Sequence, residues 1–240
     1  MRAMRIDVCL VTKDPALEIR GLEHVPVNNL IVETSSPLGL ARKRAIERVE
    51  TEWFAFIDDD ITVTPDWFPS LSSHIGPKVG AIEGLAKQVG LGNAWDDNIF
   101  RHSARTSGKL RPNQRGYTWN TLMRKSAIED WSPPYPDLSS WEDYWMSQYV
   151  LNKGYDWLLV PVRATHHRTW NKVLTNGIWC GRGLKRKNAH ENSDSAIDLA
   201  KLCSKLSIAP LIVLVKTRSP RLSIYTGIQN AAVICGLVSA

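Results

Sequence analysis

The chain has 240 residues, of which 43% are apolar and 22% are charged, and its mean hydropathy is −0.23. These values are typical of a folded protein with a sizeable core, and they exclude a disordered, collagen-like or wholly membrane-embedded chain. Lysine and arginine exceed aspartate and glutamate by 30 to 24, which gives a net charge of +6 and an isoelectric point near 9.2. This excess favours an anionic partner, such as a nucleotide, a nucleic acid or an acidic membrane surface.

The first half of the chain alternates short apolar runs with helical patterns. Strands are predicted at residues 6–11, 29–33, 53–57 and 79–85, and helices begin at Pro37 and Pro65. Strands that alternate with helices over short connections are typical of an α/β domain. We therefore predict a mainly parallel central sheet that is flanked by helices.

The second half is less regular. Between Gly90 and Gly116 the periodicity fails, and the segment contains six basic side chains: Arg101, His102, Arg105, Lys109, Arg111 and Arg115. Long irregular segments inside a domain are usually functional or mobile. A strand at 117–124, a helix at 142–153 and a strand at 155–162 follow. Beyond Arg168 the pattern becomes basic and helical, so we expect one α/β domain over residues 1–170 and a helical extension over 171–240.

The four cysteines lie far apart and form no C-x-x-C pair, so neither a zinc site nor a disulfide framework is predicted. A reducing compartment is the default for such a chain. At the amino terminus, Asp7 and Lys13 interrupt the sequence before an apolar stretch long enough for an exported leader has built up. We therefore expect synthesis and folding in the cytoplasm.

Three consecutive carboxylates, Asp58, Asp59 and Asp60, follow the apolar strand that ends at Ile57. Adjacent anions repel one another and are costly to hold together unless a cation is present. Because side chains alternate along a strand, we expect Asp58 and Asp60 on one face and Asp59 on the other. Oxygen ligands at the carboxyl edge of an open sheet favour Mg²⁺ or Mn²⁺, which keep positions free for phosphate oxygens. The alternative is a solvated acidic turn that caps the next helix, and the triplet alone leaves both interpretations open.

The surroundings of this triplet resemble the family 2 glycosyltransferases, which have the GT-A fold. Their pattern is G-x-x-x-A-R-N before the helix and L-D-x-D-x-x-x-x-P after the strand. Residues 39–44 read GLARKR here, so Arg42 matches and the family's asparagine is replaced by a basic pair. The resemblance implies that Asp58 and Asp60 hold a divalent ion, Mn²⁺ or Mg²⁺, on the diphosphate of a nucleotide-sugar, with Asp60 as the direct ligand.

A second segment with this resemblance is SSWEDYWMSQYVLNKGYDWLLVPVRATHH, residues 139–167. It is similar to the family's Glu-Asp helix, the strand after it and the histidine near the end of that strand. The resemblance implies that Asp143 is the general base, and that the reaction inverts the anomeric carbon. A sugar hydroxyl is a poor nucleophile, and a carboxylate within hydrogen-bond reach can take its proton. The alternative is that Glu142 and Asp143 only supply negative charge at a helix start.

The resemblance also implies residues that bind the donor. Thr12 and Asp14 follow the first strand and Glu33 ends the second, at the places where relatives receive the nucleotide base and ribose. The predicted donor-binding set is Thr12, Asp14, Glu33, Arg42, Asp58 and Asp59. Either His166 or His167 completes the metal shell in this interpretation, and we choose His166 because it comes first after the strand. The alternative is that both are loop histidines.

Ten tryptophans are many for this length, and most are expected in the core. Aromatic faces also stack on the apolar faces of sugars. Trp119 and Trp141, together with Glu142, are therefore the predicted acceptor contacts.

The carboxyl-terminal region contains two apolar segments, Pro210–Val215 and Leu222–Ala240, with Lys216, Arg218 and Arg221 between them. A spanning helix needs about 20 mostly apolar residues, and polar side chains interrupt the last segment. We therefore predict that this extension lies on an anionic membrane surface. The alternative is a helical pair that packs on the catalytic domain.

These observations predict a metal-dependent inverting glycosyltransferase of the hexosyltransferase type. Its acceptor is expected to be a polyprenyl-linked or other membrane-proximal hydroxyl, and the protein is expected to be peripheral on the cytoplasmic face of the cell membrane. One alternative is a sugar-phosphate nucleotidyltransferase, but TKDPALEIRGLE stands where that class has a glycine-rich basic loop. Another is a basic membrane or nucleic-acid adaptor with a transferase-like fold. No recognised nucleic-acid motif accompanies the positive charge, so nucleic acid is not the expected partner.

Overall fold

The structure is a computed structural model that describes residues 4–92, 107–137, 139–191 and 196–239. These residues form two compact units. The first contains residues 4–86 and 107–166, and the second contains residues 87–92 and 167–239 with the gap noted above. The basic side chains predicted at 101, 102 and 105 lie outside the described residues.

The strands form one sheet. They are β1 (Ile6–Val11), β2 (Val27–Glu33), β3 (Trp53–Ile57), β4 (Ile61–Val63), β5 (Val79–Val89), β6 (Gly108–Lys109), β7 (Asn120–Arg124) and β8 (Asp156–His167). Their order is β2-β1-β3-β7-β5-β8-β4, with β6 beside β8. β1 pairs in parallel with both β2 and β3, whereas β7 runs antiparallel to β3 and β5. β1, β2, β3 and β5 therefore share one direction, which confirms the predicted mainly parallel sheet.

The helices are α1 (Leu38–Glu47), α2 (Trp67–Ser72), α3 (Lys125–Ile128), α4 (Glu142–Asn152), α5 (Trp170–His190), α6 (Ala196–Thr217) and α7 (Pro220–Val238). A short 3₁₀ helix lies at Leu22–His24. Together the helices and the sheet confirm the predicted α/β class.

The last strand runs past the proline at which the sequence pattern placed its end. β8 continues beyond Pro161 to His167. A proline has no backbone N–H to donate to a ladder. Here the pairing with β6 uses Leu158 and Leu159, and the pairing with β4 uses residues 164–166, so Pro161 lies between the two ladders. This extension is what carries His166 to its place beside β4.

The core lies on both faces of the sheet. Along β3, Trp53, Ala55 and Ile57 belong to one buried cluster, and Phe54 and Phe56 belong to the other. Side chains alternate across a strand, so a strand that is buried on both faces is apolar throughout. The first cluster includes Trp67 and Leu71 of α2, while the second includes residues of α1 and α4. The second cluster therefore holds α1 and α4 on the same face of β3.

The second unit contains a close helix pair. Gly177 and Gly181 on α5 face α7, where a methyl group added to Gly181 would meet the backbone oxygen of Val233. Gly236 on α7 likewise faces the backbone oxygen of Ile178. The absence of side chains at these positions lets the two backbones approach closely.

One side of α7 packs within the second unit. Leu222, Tyr225, Ala232 and Leu237 are buried, because α7 packs against both α5 and α6. The apolar side of the last segment is thus used for helix packing. Among the described helices, none combines the length and hydropathy that a membrane span requires.

Two glycines of α7 provide a matched test of this packing. Gly236→Ala is expected to destabilise the protein by about 1–3 kcal/mol, because the new methyl group displaces a backbone. Gly227→Ala meets only Pro210 at van der Waals distance and is expected to stabilise by about 0.5–1 kcal/mol through helix propensity. Urea unfolding of both variants measures the difference. Equal effects of the two substitutions would contradict the described helix contact.

Candidate functional site

The three consecutive carboxylates form the turn that joins β3 to β4. The backbone N–H of Ile61 donates to the carbonyl oxygen of Asp58 at 3.1 Å, which closes the turn. The N–H of Asp58 donates to the carbonyl of Trp119 at 2.9 Å, just before β7. The turn therefore lies at the carboxyl end of β3, where open α/β sheets bind ligands.

Each carboxylate of the turn contacts a different element. Oδ1 of Asp58 lies 3.4 Å from Nη2 of Arg42 on α1. Oδ2 of Asp59 accepts a hydrogen bond of 3.0 Å from the hydroxyl of Thr12 at the end of β1. Oδ1 of Asp60 lies 3.2 Å from Nε2 of His166 on β8. These contacts differ from those of a solvated acidic turn.

Strand register explains the contact of His166. β4 pairs with β8 so that Ile61 lies opposite His166, which places the neighbouring Asp60 against the imidazole. His166 is buried, and its ring centroid is 4.3 Å from that of Trp119. The register therefore places His166, the first of the two candidate histidines, against the carboxylate turn.

Arg42 joins the turn to the start of α4. Its side chain is only 4% exposed, its Nε donates to Oε1 of Glu142 at 3.0 Å, and its guanidinium lies 4.9 Å from the ring centroid of Phe56. Burial lowers the pKa of Arg42, but Asp58, Glu142 and Asp143 raise it above its ordinary value. Arg42 therefore stays charged, and it interacts electrostatically with both acidic groups. The carboxylates at 58–60 and at 142–143, which lie more than 80 residues apart in the chain, meet in one site.

Burial also shifts the carboxylates that Arg42 contacts. The pKa of Asp58 lies above its ordinary value because burial, together with the charges of Asp60 and Asp59, outweighs the attraction of Arg42. Burial and the neighbouring Asp143 raise the pKa of Glu142 to about 7, against the opposing effects of Arg42 and Arg115. Oε2 of Glu142 and Nη1 of Arg42 are buried without a hydrogen-bond partner among the described residues. The site thus holds polar atoms that a ligand can satisfy.

Asp143 is held by Arg115 and by its own helix. Nε of Arg115 donates to Oδ1 of Asp143 at 2.7 Å, and the backbone N–H of Tyr144 donates to the same oxygen at 2.8 Å. The guanidinium of Arg115 lies 4.6 Å from the ring centroid of Trp141 and 5.0 Å from that of Tyr117. Both hydrogen bonds that Asp143 accepts from described residues therefore end on Oδ1.

Trp141 has a left-handed backbone conformation, with φ of 71°, at the residue before α4. A bulky side chain rarely adopts this conformation, and such positions cost about 1–3 kcal/mol and cluster at functional sites. The conformation accompanies the contact between the Trp141 ring and Arg115. Trp119, the other predicted acceptor contact, packs against His166, so both tryptophans lie beside site residues.

The predicted donor residues lie at the same edge of the sheet. The N–H of Thr12 donates to the carbonyl of Glu33 at 3.1 Å, and the hydroxyl of Thr12 accepts from the N–H of Asp14 at 3.2 Å. Glu33 accepts a hydrogen bond from the N–H of Ser35 and lies 3.6 Å from Arg48. Hydrogen bonding from Ser35 is the main reason why the pKa of Glu33 lies below its ordinary value. Because β1, β2 and β3 are parallel, their carboxyl ends bring Thr12, Glu33 and Asp58 to one edge.

Two contributors were not predicted from the sequence. Arg115 appeared only as one of the basic residues of an irregular segment, 28 positions before Asp143. Glu83, fully buried on β5, accepts hydrogen bonds from the N–H of Tyr117 at 2.9 Å and from Nε1 of Trp157 at 3.1 Å. It thereby fixes the segment that carries Arg115. The crowding of basic residues between Gly90 and Gly116 is the sequence signal that pointed to the segment of Arg115, and no such signal marked Glu83.

Within the described ranges, no group of three or more histidine, cysteine, aspartate or glutamate side chains is arranged to hold a metal ion. The predicted metal ligands are therefore represented by one close pair, Asp60 and His166. Asp58, the other predicted ligand of the turn, contacts Arg42.

Residues 29–131 match the model of the family described as glycosyl transferase family 2. The resemblance to this family is confirmed. The matched segment contains Arg42, the carboxylate turn and Arg115, and it ends before Asp143 and His166.

A curated relative and several solved structures are also similar to this chain. The protein described as "Putative glycosyltransferase EpsH" of Bacillus subtilis (strain 168) is 26% identical over 133 residues, which are 49% of this chain and 38% of that protein. The chain thus spans well under half of the length of that relative. TarS 1–349 of S. aureus is 13% identical, with 96% of this chain and 90% of that chain covered and a TM-score of 0.48. A197 from STIV is 14% identical, with 68% and 85% covered and a TM-score of 0.42.

The raised pKa of Glu142 predicts a pH dependence of stability. An unfolded glutamate has a pKa near 4.5, so between about pH 4.5 and 7 the folded state binds more protons than the unfolded state. The stability that Glu142 contributes is therefore present at low pH and is lost as the pH rises through about 7. Glu142→Gln is expected to become more stable relative to the wild type over this range. Urea unfolding between about pH 5 and pH 8 measures this difference.

Glu129→Gln is the matched control, because Glu129 is an exposed glutamate outside the site. Its difference from the wild type is expected to stay constant over the same range. A Glu142→Gln difference that also stays constant would show that Glu142 is ionised throughout.

Proposed function

We propose that this chain is a metal-dependent inverting glycosyltransferase that moves a hexose from a nucleotide-diphospho-sugar to a hydroxyl acceptor. The family match supports transfer from an activated sugar. The observation that carries the proposal is the bridge through Arg42, which brings the carboxylate turn of β3 and the acidic start of α4 into one site. A donor at the turn and a base at the helix are the two parts that this reaction needs.

The donor binds at the carboxyl edge of the sheet. In this proposal Thr12, Asp14 and Glu33 face the base and ribose, while Arg42, Asp58 and Asp59 shape the diphosphate end. Oδ1 of Asp60 and Nε2 of His166 lie 3.2 Å apart and fit a shared Mn²⁺ or Mg²⁺ ion. When bound, the ion neutralises negative charge on the departing diphosphate. Two protein ligands leave positions for phosphate oxygens.

Asp143 takes the proton of the acceptor. Oδ1 is held by Arg115 and by the N–H of Tyr144, so Oδ2 is the oxygen that receives the hydroxyl proton. The acceptor oxygen forms a bond to the anomeric carbon as the bond from that carbon to the diphosphate oxygen breaks. The nucleoside diphosphate leaves with the electron pair, and the configuration of the anomeric carbon is inverted.

The acceptor side is formed by Trp119, Trp141 and Glu142 in this proposal. Ring faces at Trp119 and Trp141 suit the apolar faces of a sugar. The net charge of +6 favours an anionic surface as a second partner. We therefore place the acceptor at the cytoplasmic face of the membrane, as a polyprenyl-linked or other membrane-proximal hydroxyl.

Thermal stabilisation by a panel of nucleotide-sugars, with and without Mn²⁺, tests the donor and the metal together. A cognate donor at about 100 times its Kd is expected to stabilise the wild type by about 2.7 kcal/mol. In the Asp60→Ala variant, the part of the donor stabilisation that depends on Mn²⁺ is expected to be lost. Asp143→Asn is expected to keep donor stabilisation and to lose transfer, measured by release of nucleoside diphosphate and by NMR of the anomeric product.

Asp130→Asn is the control, since Asp130 is an exposed carboxylate paired with Lys153. It is expected to behave like the wild type in each measurement. Full transfer by Asp143→Asn would assign the base to another group. Stabilisation by a sugar 1-phosphate with a nucleoside triphosphate, but by no nucleotide-sugar, would favour a nucleotidyltransferase. No stabilisation by any donor would contradict the proposal.

Arg115 is a positioning residue in this mechanism, because its hydrogen bond orients the carboxylate of Asp143. Arg115→Ala frees the carboxylate to rotate, so kcat is expected to fall about 10- to 100-fold while KM for the donor changes little. Added guanidinium ion at low concentration is expected to restore part of kcat, because it can occupy the vacated position between Trp141 and Tyr117. Steady-state kinetics with and without guanidinium measure both effects.

Arg111→Ala removes an exposed arginine of the same segment and serves as the control. Its kcat is expected to equal that of the wild type and to be insensitive to guanidinium. A loss of activity in Arg115→Ala that tracks a lowered Tm, without rescue, would show that Arg115 only stabilises the fold.

A further inference from the structure

Helix α6 carries a row of exposed apolar side chains. Ile208, Leu211, Ile212 and Val215 are 52%, 62%, 47% and 79% exposed. Their spacing of three, one and three residues places them on one face of the helix. We call these four residues the apolar row.

The apolar row is separate from the face of α6 that packs against α7. Nδ2 of Asn230 donates to the carbonyl of Leu206 at 2.8 Å, and the hydroxyl of Ser223 donates to the carbonyl of Pro210 at 2.8 Å. Val213 packs against a small cluster that includes Leu222 and Tyr225. One side of α6 is therefore engaged by α7, while the apolar row points away from that contact. Contiguous apolar surface of this kind marks an interaction site.

Positive charge surrounds the apolar row. Residues 196–239 contain five basic side chains and one acidic one. The basic set is Lys201, Lys205, Lys216, Arg218 and Arg221. The single acidic residue, Asp198, lies 3.6 Å from Lys201 and offsets the charge of that lysine. The other four basic side chains leave the net charge of these residues positive. Lys205, Lys216 and Arg218 are exposed.

We propose that the apolar row of α6 docks on an anionic membrane surface. A helix with an apolar face and flanking cations lies in the plane of the interface, with its apolar side chains among the acyl chains. Long lysine and arginine side chains then extend to the phosphates of the headgroups. This assignment places the contact predicted for the extension on α6, which contains the first of its two apolar segments, while the last segment packs within the unit as α7.

The same charges argue against a second copy of the chain as the occupant. A symmetric contact through the apolar row places the same patch of each copy together, and so brings the cations of one copy against those of the other. A nucleic acid matches the cations but leaves the apolar row in water. An anionic membrane is the partner that satisfies both parts of the surface.

The inference names the membrane contact within the proposed function, but its test is independent of catalysis. The 240-residue chain is mixed with vesicles of phosphatidylcholine alone or with about 30% phosphatidylglycerol, and binding is measured by flotation without donor, metal or acceptor. Binding is expected to the anionic vesicles, to weaken with added salt, and to be absent with the neutral vesicles. Asp143→Asn is expected to bind like the wild type.

Val215→Asp removes one member of the apolar row, and Val238→Asp is the matched control. Val238 is 66% exposed and lies at the last residue of α7, away from the row. Val215→Asp is expected to weaken partitioning about tenfold, and Val238→Asp is expected to have no effect. Lys216→Glu is expected to weaken partitioning onto the anionic vesicles about fivefold or more and to reduce the salt dependence of this partitioning.

Three results would overturn the inference. The first is equal binding to neutral and anionic vesicles, or none to either. The second is an equal effect of the two valine variants. The third is a dimer in sedimentation that Val215→Asp dissociates, because the apolar row would then bind a second copy. Vesicle binding without donor stabilisation would retain the docking surface while removing the proposed transferase function.

Discussion

A buried guanidinium between two carboxylates is the interaction on which the candidate site depends. Arg42 is almost completely buried, and it contacts Asp58 on one side and Glu142 on the other. Removing one partner of a buried pair leaves an uncompensated charge, at a cost of about 3–5 kcal/mol. The three groups therefore hold one another in place. Because they come from α1, the β3–β4 turn and α4, this charge balance adds to the core packing in fixing the relative positions of these elements.

That balance also explains why the acidic groups of the site behave differently. Asp58 and Glu142 share the buried cation, and burial still raises the pKa of both. Asp60 pairs with an imidazole, and Asp143 pairs with a second arginine that stacks between aromatic rings. The four carboxylates of the site thus have three kinds of partner, which are a shared buried arginine, an imidazole and a second arginine. Such differences let similar groups perform separate tasks, as a ligand, a support or a base.

Much of this arrangement follows from local pattern in the sequence. Apolar runs followed by acids located β3 and its turn, and the parallel direction of β1, β2 and β3 brought Thr12 and Glu33 to the same edge. The resemblance to family 2 indicated Arg42 and Asp143 as site residues. Their connection through Glu142 was not predictable, because it joins positions 100 residues apart by side-chain packing. The pairing of Arg115 with Asp143 is of the same kind, since no periodicity records which cation faces which acid.

The carboxyl-terminal unit shows what composition alone does not give, namely which side of an apolar segment is covered by other helices. The uncharged segment 222–240 has the apolar content of a surface-active helix, yet its Gly236 faces the backbone of α5 and residues 222–238 lie in α7. Glycine spacing on α5 is visible in the sequence, but its partner on α7 is defined only by the fold. The row of four exposed apolar side chains lies on α6.

The backbone of Trp141 links local conformation to the chemistry of the site. A glycine at this position would relieve the left-handed strain, but it would remove the ring that covers one side of the Arg115 guanidinium. Trp141 therefore keeps an unfavourable backbone conformation, and its ring packs against the guanidinium of Arg115. At the residue before α4, the backbone is thus strained while the Trp141 ring stays in contact with Arg115 and helps to orient its guanidinium.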